Sequence, residues 1–275
     1  LLLEFELYNR CDRYSRQLLF YNMYSDDPIG IHKRIKKSKI IICGCGGIGS
    51  NIAVMLATMG VNDLILIDDD VIEESNLSRQ FMYCENDLGL YKVDVLEREL
   101  LKRDSTLKIQ SIKLKFDESI EYIGTADLIV LSGDSFGICK EINSFSYKTN
   151  IPFINIGYVM DIAVWGPLVI PGKTACYECF SKQNISDKNW LSYDLMEKIK
   201  IINSRFQVPS IGPINSMSLS YAALDIMKYL GAFGSVESIN NRVGIWTDNM
   251  KIQLQKYSYS DNCSLKCIDF IKLKK

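Results

Sequence analysis

From Lys39 onward, apolar runs of strand length alternate with stretches of helical period. KIIIC (39–43), DLILID (63–68), DLIVLS (127–132) and PFINIG (152–157) are short and nearly continuous in apolar residues, the pattern of strands covered on both faces. Between them, IGSNIAVMLATM (48–59), YKVDVLERELLK (91–102) and a stretch closing at Tyr147 carry helical periodicity. Such alternation predicts βαβ units and an α/β, Rossmann-like fold: a mostly parallel sheet with helices on both faces. After Gly157 the texture changes. IAVWGPLVIPGK (162–173) reads as paired antiparallel strands, SMSLSYAALDIMKYL (216–230) as a helix, and RVGIWTD with KIQLQKY as a closing hairpin. An antiparallel C-terminal region should therefore extend the sheet. No repeat, low-complexity tract or linker interrupts the chain, which predicts a single domain.

One uncharged stretch, Ile40 to Val61, reaches the roughly 20 residues that span a bilayer. Five glycines with Ser50 and Asn51 break it, and it resolves into strand, turn and helix, so no membrane partner is expected. With a formal net charge of −1 among 275 residues, the chain shows no basic bias, and nucleic acid is excluded as a default partner. Nine cysteines without a signal-peptide pattern point to a reducing, cytoplasmic setting where thiols serve metals or the core.

The loop GCGGIG (44–49) between the first strand and its helix directs helix amides and the positive dipole end at its occupant, which suits an anion. Gly44, Gly46, Gly47 and Gly49 permit close backbone approach, and Asp68 follows about 20 residues later at a strand tip, where carboxylates accept ribose hydroxyls. That much describes a nucleotide site, or a tight turn with no ligand. Charge separates the candidates: a dinucleotide is largely satisfied by amides, whereas ATP carries nearly four negative charges and calls for cations and magnesium. Arg79 in ESNLSRQF and Lys92 at a helix start supply cations, and Asp134, just past the DLIVLS strand, could hold Mg2+. A dehydrogenase would leave those three without a purpose.

Taken in order, GxGGxG, D-x-D at 68–70, N-L-x-R-Q-F at 76–81, Lys92 and Asp134, preceded by R-Y-S-R-Q at 13–17, resemble the ThiF-type adenylating family that includes the ubiquitin-activating enzymes. Within it the MccB-like peptide-adenylating group is nearest, through GYVMDIAVWGPLVIPGKTACYEC, IINSRF and NRVGIWTDNMKI. The resemblance implies ATP at Gly44 to Gly49, ribose held by Asp68 and Asp70, Asn76 in the nucleotide site, phosphates gripped by Arg79 and Lys92, and Mg2+ at Asp134. It implies a homodimer in which Arg16 acts in trans, and Arg205 gripping the substrate's end. It divides one adenylation domain, 1–275, into an N-terminal arm (1–25), a nucleotide-binding half (26–157) and a substrate, crossover-loop and zinc half (158–275). The arm is expected as the remnant of a peptide-clamp domain. The implied reaction is attack by a carboxylate on the α-phosphorus, releasing pyrophosphate; in MccB-like enzymes the carboxylate is the C-terminal Asn of a short ribosomal peptide in a microcin C-type antibiotic pathway. No general base is needed, and the lone His32 reads as a surface imidazole.

Cys176 and Cys179, with Cys263 and Cys267, have the spacing of a four-thiolate zinc site, the second pair being C-x-x-x-C where the family has C-x-x-C. Cys11, Cys43, Cys45, Cys84 and Cys139 read as small apolar filler. Relatives that pass the acyl group to a thiol use a cysteine in the crossover loop, here residues 181–210, and this loop has none. The adenylate is thus expected to react directly. The alternatives are a sulfur-carrier adenylyltransferase of the ThiS or MoaD type, a pantocin-type glutamate-activating cyclase, and a non-catalytic scaffold.

Overall fold

The computed structural model describes residues 13–133, 137–179 and 210–267. One sheet organises them: β1 (Lys39–Cys43), β2 (Asp63–Ile67), β3 (Lys108–Ile112), β4 (Leu128–Leu131), β5 (Phe153–Val159), β6 (Ile162–Val169), β7 (Asn241–Trp246) and β8 (Ile252–Lys256). The strands lie in the order β3-β2-β1-β4-β5-β6-β7-β8. Pairings from β3 to β5 are parallel and those from β5 to β8 antiparallel. The expected α/β class with its antiparallel extension is what forms.

Successive strand residues face opposite sides of a sheet, so a continuous apolar run feeds two cores. Ile40, Ile42, Leu64, Leu66, Leu128 and Val130 enter one; Ile41, Cys43, Ile65, Ile67, Ile129 and Leu131 enter the other. The first core is roofed by α1 (Ser15–Asn22), α2 (Pro28–Lys37), α3 (Gly49–Thr58), α4 (Lys92–Arg103) and the long α6 (Gly212–Gly231), through residues such as Tyr21, Ile35, Leu56, Leu96 and Ile226. Among the described residues, the second is covered by α5 (Ile138–Thr149), one turn at Phe116–Ser119, and a segment carrying four buried cysteines.

One strand is additional to those expected and one local expectation gives way. β3 carries no clear signal because KIQSI is a half-exposed edge strand in which only Ile112 is buried. IAVWGPLVIPGK yields one strand, not a pair: the chain reverses before it, at Met160 with φ 56°, and β6 takes its partners from β5 and β7. Gly157 pairs with Val164 inside this ladder, so the sheet runs unbroken across the 157/158 boundary.

Candidate nucleotide site and cysteine cluster

The glycine loop joins β1 to α3, and its glycines divide by task. Gly44 has φ +88°, and a Cβ there would lie 2.7 Å from the Gly133 nitrogen; at Gly49 it would lie 1.8 Å from the Gly44 carbonyl oxygen. These two let the turn close. A Cβ on Gly47 would meet Asn215 Nδ2 at 2.6 Å, whereas on Gly46 the nearest atom is Gln80 Nε2 at 3.7 Å. Of the four, only Gly46 would take a Cβ at ordinary contact distance. Ser132 Oγ donates to the Gly44 carbonyl at 2.8 Å, tying the loop to the end of β4. The N-cap of α3, Ile48, offers no side-chain hydrogen bond, so an anion at the loop meets an uncapped helix end, where the Ser50 amide is taken by the Gly46 carbonyl at 3.0 Å.

Residues 68–91 return from β2 to α4 and are fastened to the loop. Ile72 donates to Leu90, Gly89 to Ile72, and Lys92 to Asp70, at 2.9, 2.9 and 3.1 Å between backbone atoms. Tyr83 Oη donates to the Cys45 carbonyl at 2.7 Å. This frame sets the predicted site residues. Asp68 accepts from the Cys45 amide (2.5 Å) and the Asp70 amide (2.9 Å). Burial pushes its carboxyl up from the usual carboxylate range, opposed by the Lys92 charge and those two amides. Asp70, expected beside Asp68 at a ribose, forms an ion pair with Lys92, Nζ to Oδ2 at 2.6 Å. Arg79 lies along Gly47, its Cγ 3.5 Å from the position of a Cβ there, and Nη1 donates to the Ser75 carbonyl at 2.8 Å. Asn76 is buried and accepts from the Glu73 amide at 3.2 Å.

The arm lies elsewhere. Arg13 pairs with Asp104, one residue past α4, at 2.5 Å. Gln17 Nε2 donates to the Met59 carbonyl at the close of α3 (2.6 Å). Arg16, between them on α1, is exposed and thus at the far end of both helices from Gly49 and Lys92. At 1.5 Å per residue that separation is about 15 Å along α3. Asp134 and Arg205 lie outside the described residues, as do Cys11 and residues 181–209 of the crossover loop. His32, expected on the surface, is half-buried and packs on Tyr14 with ring centroids 4.4 Å apart. Gln80 and Asn215 were not singled out in the sequence; Gln80 stands inside the N-L-x-R-Q-F signature, and Asn215 carries no local signal.

The second core holds the cysteine cluster. Sγ separations are 3.8 Å for Cys176–Cys179, 3.4 Å for Cys176–Cys263 and 3.3 Å for Cys179–Cys267, and all four sulfurs lie within 4.8 Å of one another. Bonds of about 2.3 Å to a tetrahedral zinc set sulfurs about 3.8 Å apart, so the buried donor set is compatible with zinc. The Ser260 amide points at Cys179 Sγ from 3.4 Å, the kind of outer contact that steadies a thiolate ligand. Of the remaining cysteines, Cys43 and Cys45 are buried filler as expected, but Cys84 is exposed and its thiol donates to Asp87 Oδ2 at 3.1 Å. No described helix is long and apolar enough to cross a membrane.

The family model described as the ThiF family matches residues 14–265. E. coli MccB with ATP superposes with a TM-score of 0.81 and 41% identity over 94% of this chain and 74% of that one. The microcin C7 biosynthetic enzyme MccB in complex with N-formylated MccA gives 0.82 and 40%, over 94% and 75%. The SAMP-activating enzyme E1 of Haloferax volcanii is 28% identical over 170 residues, 61% of this chain and 61% of that protein. The chain thus spans less than two thirds of that relative.

Proposed function

The chain belongs to the ThiF family, and on that premise we propose that it uses ATP to adenylate a carboxylate, releasing pyrophosphate. The observation that carries the reading is the convergence at one sheet edge of the uncapped α3 amides, Asp68, Arg79 against Gly47, and Lys92. A triphosphate needs such a set; a dinucleotide does not. The ribose goes to Asp68, whose carboxylate already faces the loop through the Cys45 amide. Arg79 and Lys92 take phosphate oxygens, Lys92 by leaving Asp70. Asn76 braces the turn that presents Arg79.

In the reaction an ionised carboxylate oxygen attacks the α-phosphorus, and the bond to the bridging oxygen breaks, with its electron pair leaving on pyrophosphate. The chain's residues neutralise charge and hold the reacting atoms in line. Magnesium, which Asp134 is assigned to hold, would supply further charge neutralisation to the phosphates. Arg16 sits at the wrong end of α3 and α4 to serve its own site, so it is assigned to the partner's site in a homodimer. The cysteine cluster is assigned to zinc, tying the segment after β6 to the segment after β8.

The substrate we assign is a short ribosomal peptide activated at its C-terminal Asn, with Arg205 at its end. What supports this is identity of 40% or more to MccB, whose complexes include ATP and MccA, against 28% and 33% to the ThiS sulfur-carrier adenylyltransferases of E. coli and Bacillus subtilis. The test is calorimetry and pyrophosphate exchange. The protein should bind Mg·ATP and not NAD, and should move labelled pyrophosphate into ATP with an Asn-terminated peptide but not with its C-terminal amide. No heat with Mg·ATP defeats the adenylation reading; exchange only with a Gly-Gly-terminated carrier defeats the peptide reading alone.

A further inference from the structure

We propose that the outer face of α6 packs antiparallel on α6 of a second copy of this chain, about a two-fold axis beside Tyr221, and so carries Arg16 of each copy to the nucleotide loop of the other; this rests on the trans assignment of Arg16 above.

A helix that faces water carries charge on its outer side, as α4 does with Asp94, Arg98 and Lys102. α6 does not. From Ile211 to Leu224 the chain has no charged residue, and its exposed positions there include Ile211 (56%), Tyr221 (45%) and Leu224 (36%). Tyr221 lies flat on Trp165, ring centroids 4.9 Å apart and planes 11° from parallel, which holds its apolar surface at the outside. A continuous apolar stripe of this kind marks a surface that another surface covers.

Its two ends meet different parts of the molecule. At the start, a Cβ on Gly212 would stand 2.7 Å from Phe81 Cζ, and Asn215 stands against Gly47 of the nucleotide loop. At the close, Phe233 packs on Tyr21 and Tyr24 of the arm, with ring centroids 5.1 and 5.5 Å away. Along the arm, Arg16, Phe20 and Met23 follow at helical spacing and all are exposed, Met23 at 77%. Whatever covers Phe20 and Met23 therefore also meets Arg16.

Within one chain the 20 residues of α6 hold arm and loop about 30 Å apart. A second copy laid antiparallel removes that distance, because the arm end of one α6 then falls beside the loop end of the other. Tyr221 stands at the middle of the helix, so the axis passes beside it, and a patch that meets itself closes as a dimer. Each nucleotide site then has Arg79 and Lys92 from its own chain and Arg16 from the second copy.

The test is sedimentation combined with pyrophosphate exchange. Wild type should be a dimer at micromolar concentration. A residue on a two-fold meets its own copy, so Tyr221→Glu alone and Tyr221→Lys alone should each sediment as monomers, and their equimolar mixture as a dimer. Each monomer should bind Mg·ATP within about threefold of wild type, yet lose peptide-dependent exchange by about a hundredfold or more, and the mixture should regain it. Ile252→Glu, which adds the same charge to the exposed face of β8, should stay dimeric and active. If either Tyr221 variant fails to fold by circular dichroism, Leu224→Glu and Leu224→Lys, one turn away, carry the same comparison. A monomeric wild type, dimers that persist in both single variants, or monomers with full exchange overturn the proposal and leave the adenylation reading intact. A wild type that dimerises through α6 but gives no heat with Mg·ATP overturns the adenylation reading and leaves the α6 contact standing.

Discussion

Lys92 Nζ lies 2.6 Å from Asp70 Oδ2, the lysine side chain 7% exposed and the aspartate 65%. Lys92 is the first residue of α4, where its cation opposes the helix dipole, and Asp70 compensates it. Lys92→Met should raise the Kd for Mg·ATP at least tenfold, the worth of one charged contact, with the fold retained. Asp70→Asn should lower the melting temperature by a few degrees, about 1 kcal/mol, since the carboxylate is largely solvated. Titration calorimetry and thermal unfolding check the two.

Asp68 ties function to pH. Burial holds its folded pKa above the unfolded value of about 3.9, so the folded protein binds that proton more tightly. The ionised carboxylate costs stability above its folded pKa, and the cost fades as pH falls to the unfolded one. Asp68→Asn should match or exceed wild-type stability at pH 7, with the difference closing toward about pH 4, while ATP binding weakens at least tenfold. Urea unfolding from pH 4 to 8 reads this. A variant less stable than wild type by the same margin at every pH contradicts it.

The cysteine cluster predicts one zinc per chain by metal analysis. Cys176→Ser or Cys263→Ser should lose that stoichiometry and unfold several degrees lower, because the second core would lose the tie between β6 and the segment after β8. Cys84→Ser, altering an exposed thiol, should keep the metal. A metal-free wild type with unchanged stability sinks the assignment.

If Arg16 serves its partner's site, then Arg16→Ala and Lys92→Met should each abolish peptide-dependent pyrophosphate exchange, and mixing them should restore it. Random re-pairing makes half the dimers mixed, each with one intact site, so recovery should approach about a quarter of wild type. No recovery after verified subunit exchange places Arg16 elsewhere.

The parallel half of the fold was legible because strands buried on both faces must be continuously apolar, as KIIIC, DLILI and LIVL are. The edge strand β3 was not, since half its residues face water, and neither was the single β6, whose partners lie outside its own segment. At the site, spacing alone flagged the glycine loop, Asp68, Arg79 and Lys92, because phosphate chemistry demands those residue types there. It treated the four glycines as equals, although only the fold shows that Gly44 and Gly49 close the turn while Gly46 would take a Cβ at ordinary contact distance.

Residue types and their order determined the sheet class, the phosphate-binding character of the first loop and the four candidate metal thiols, because each depends on local periodicity or on side-chain chemistry. Pairing was decided only in three dimensions. That Asp70 neutralises Lys92, that Arg16 stands at the far end of two helices from the loop, and that Gln80 buries an unpaired Oε1 depend on where distant segments meet. No local pattern encodes such distances, because packing of the whole sheet sets them.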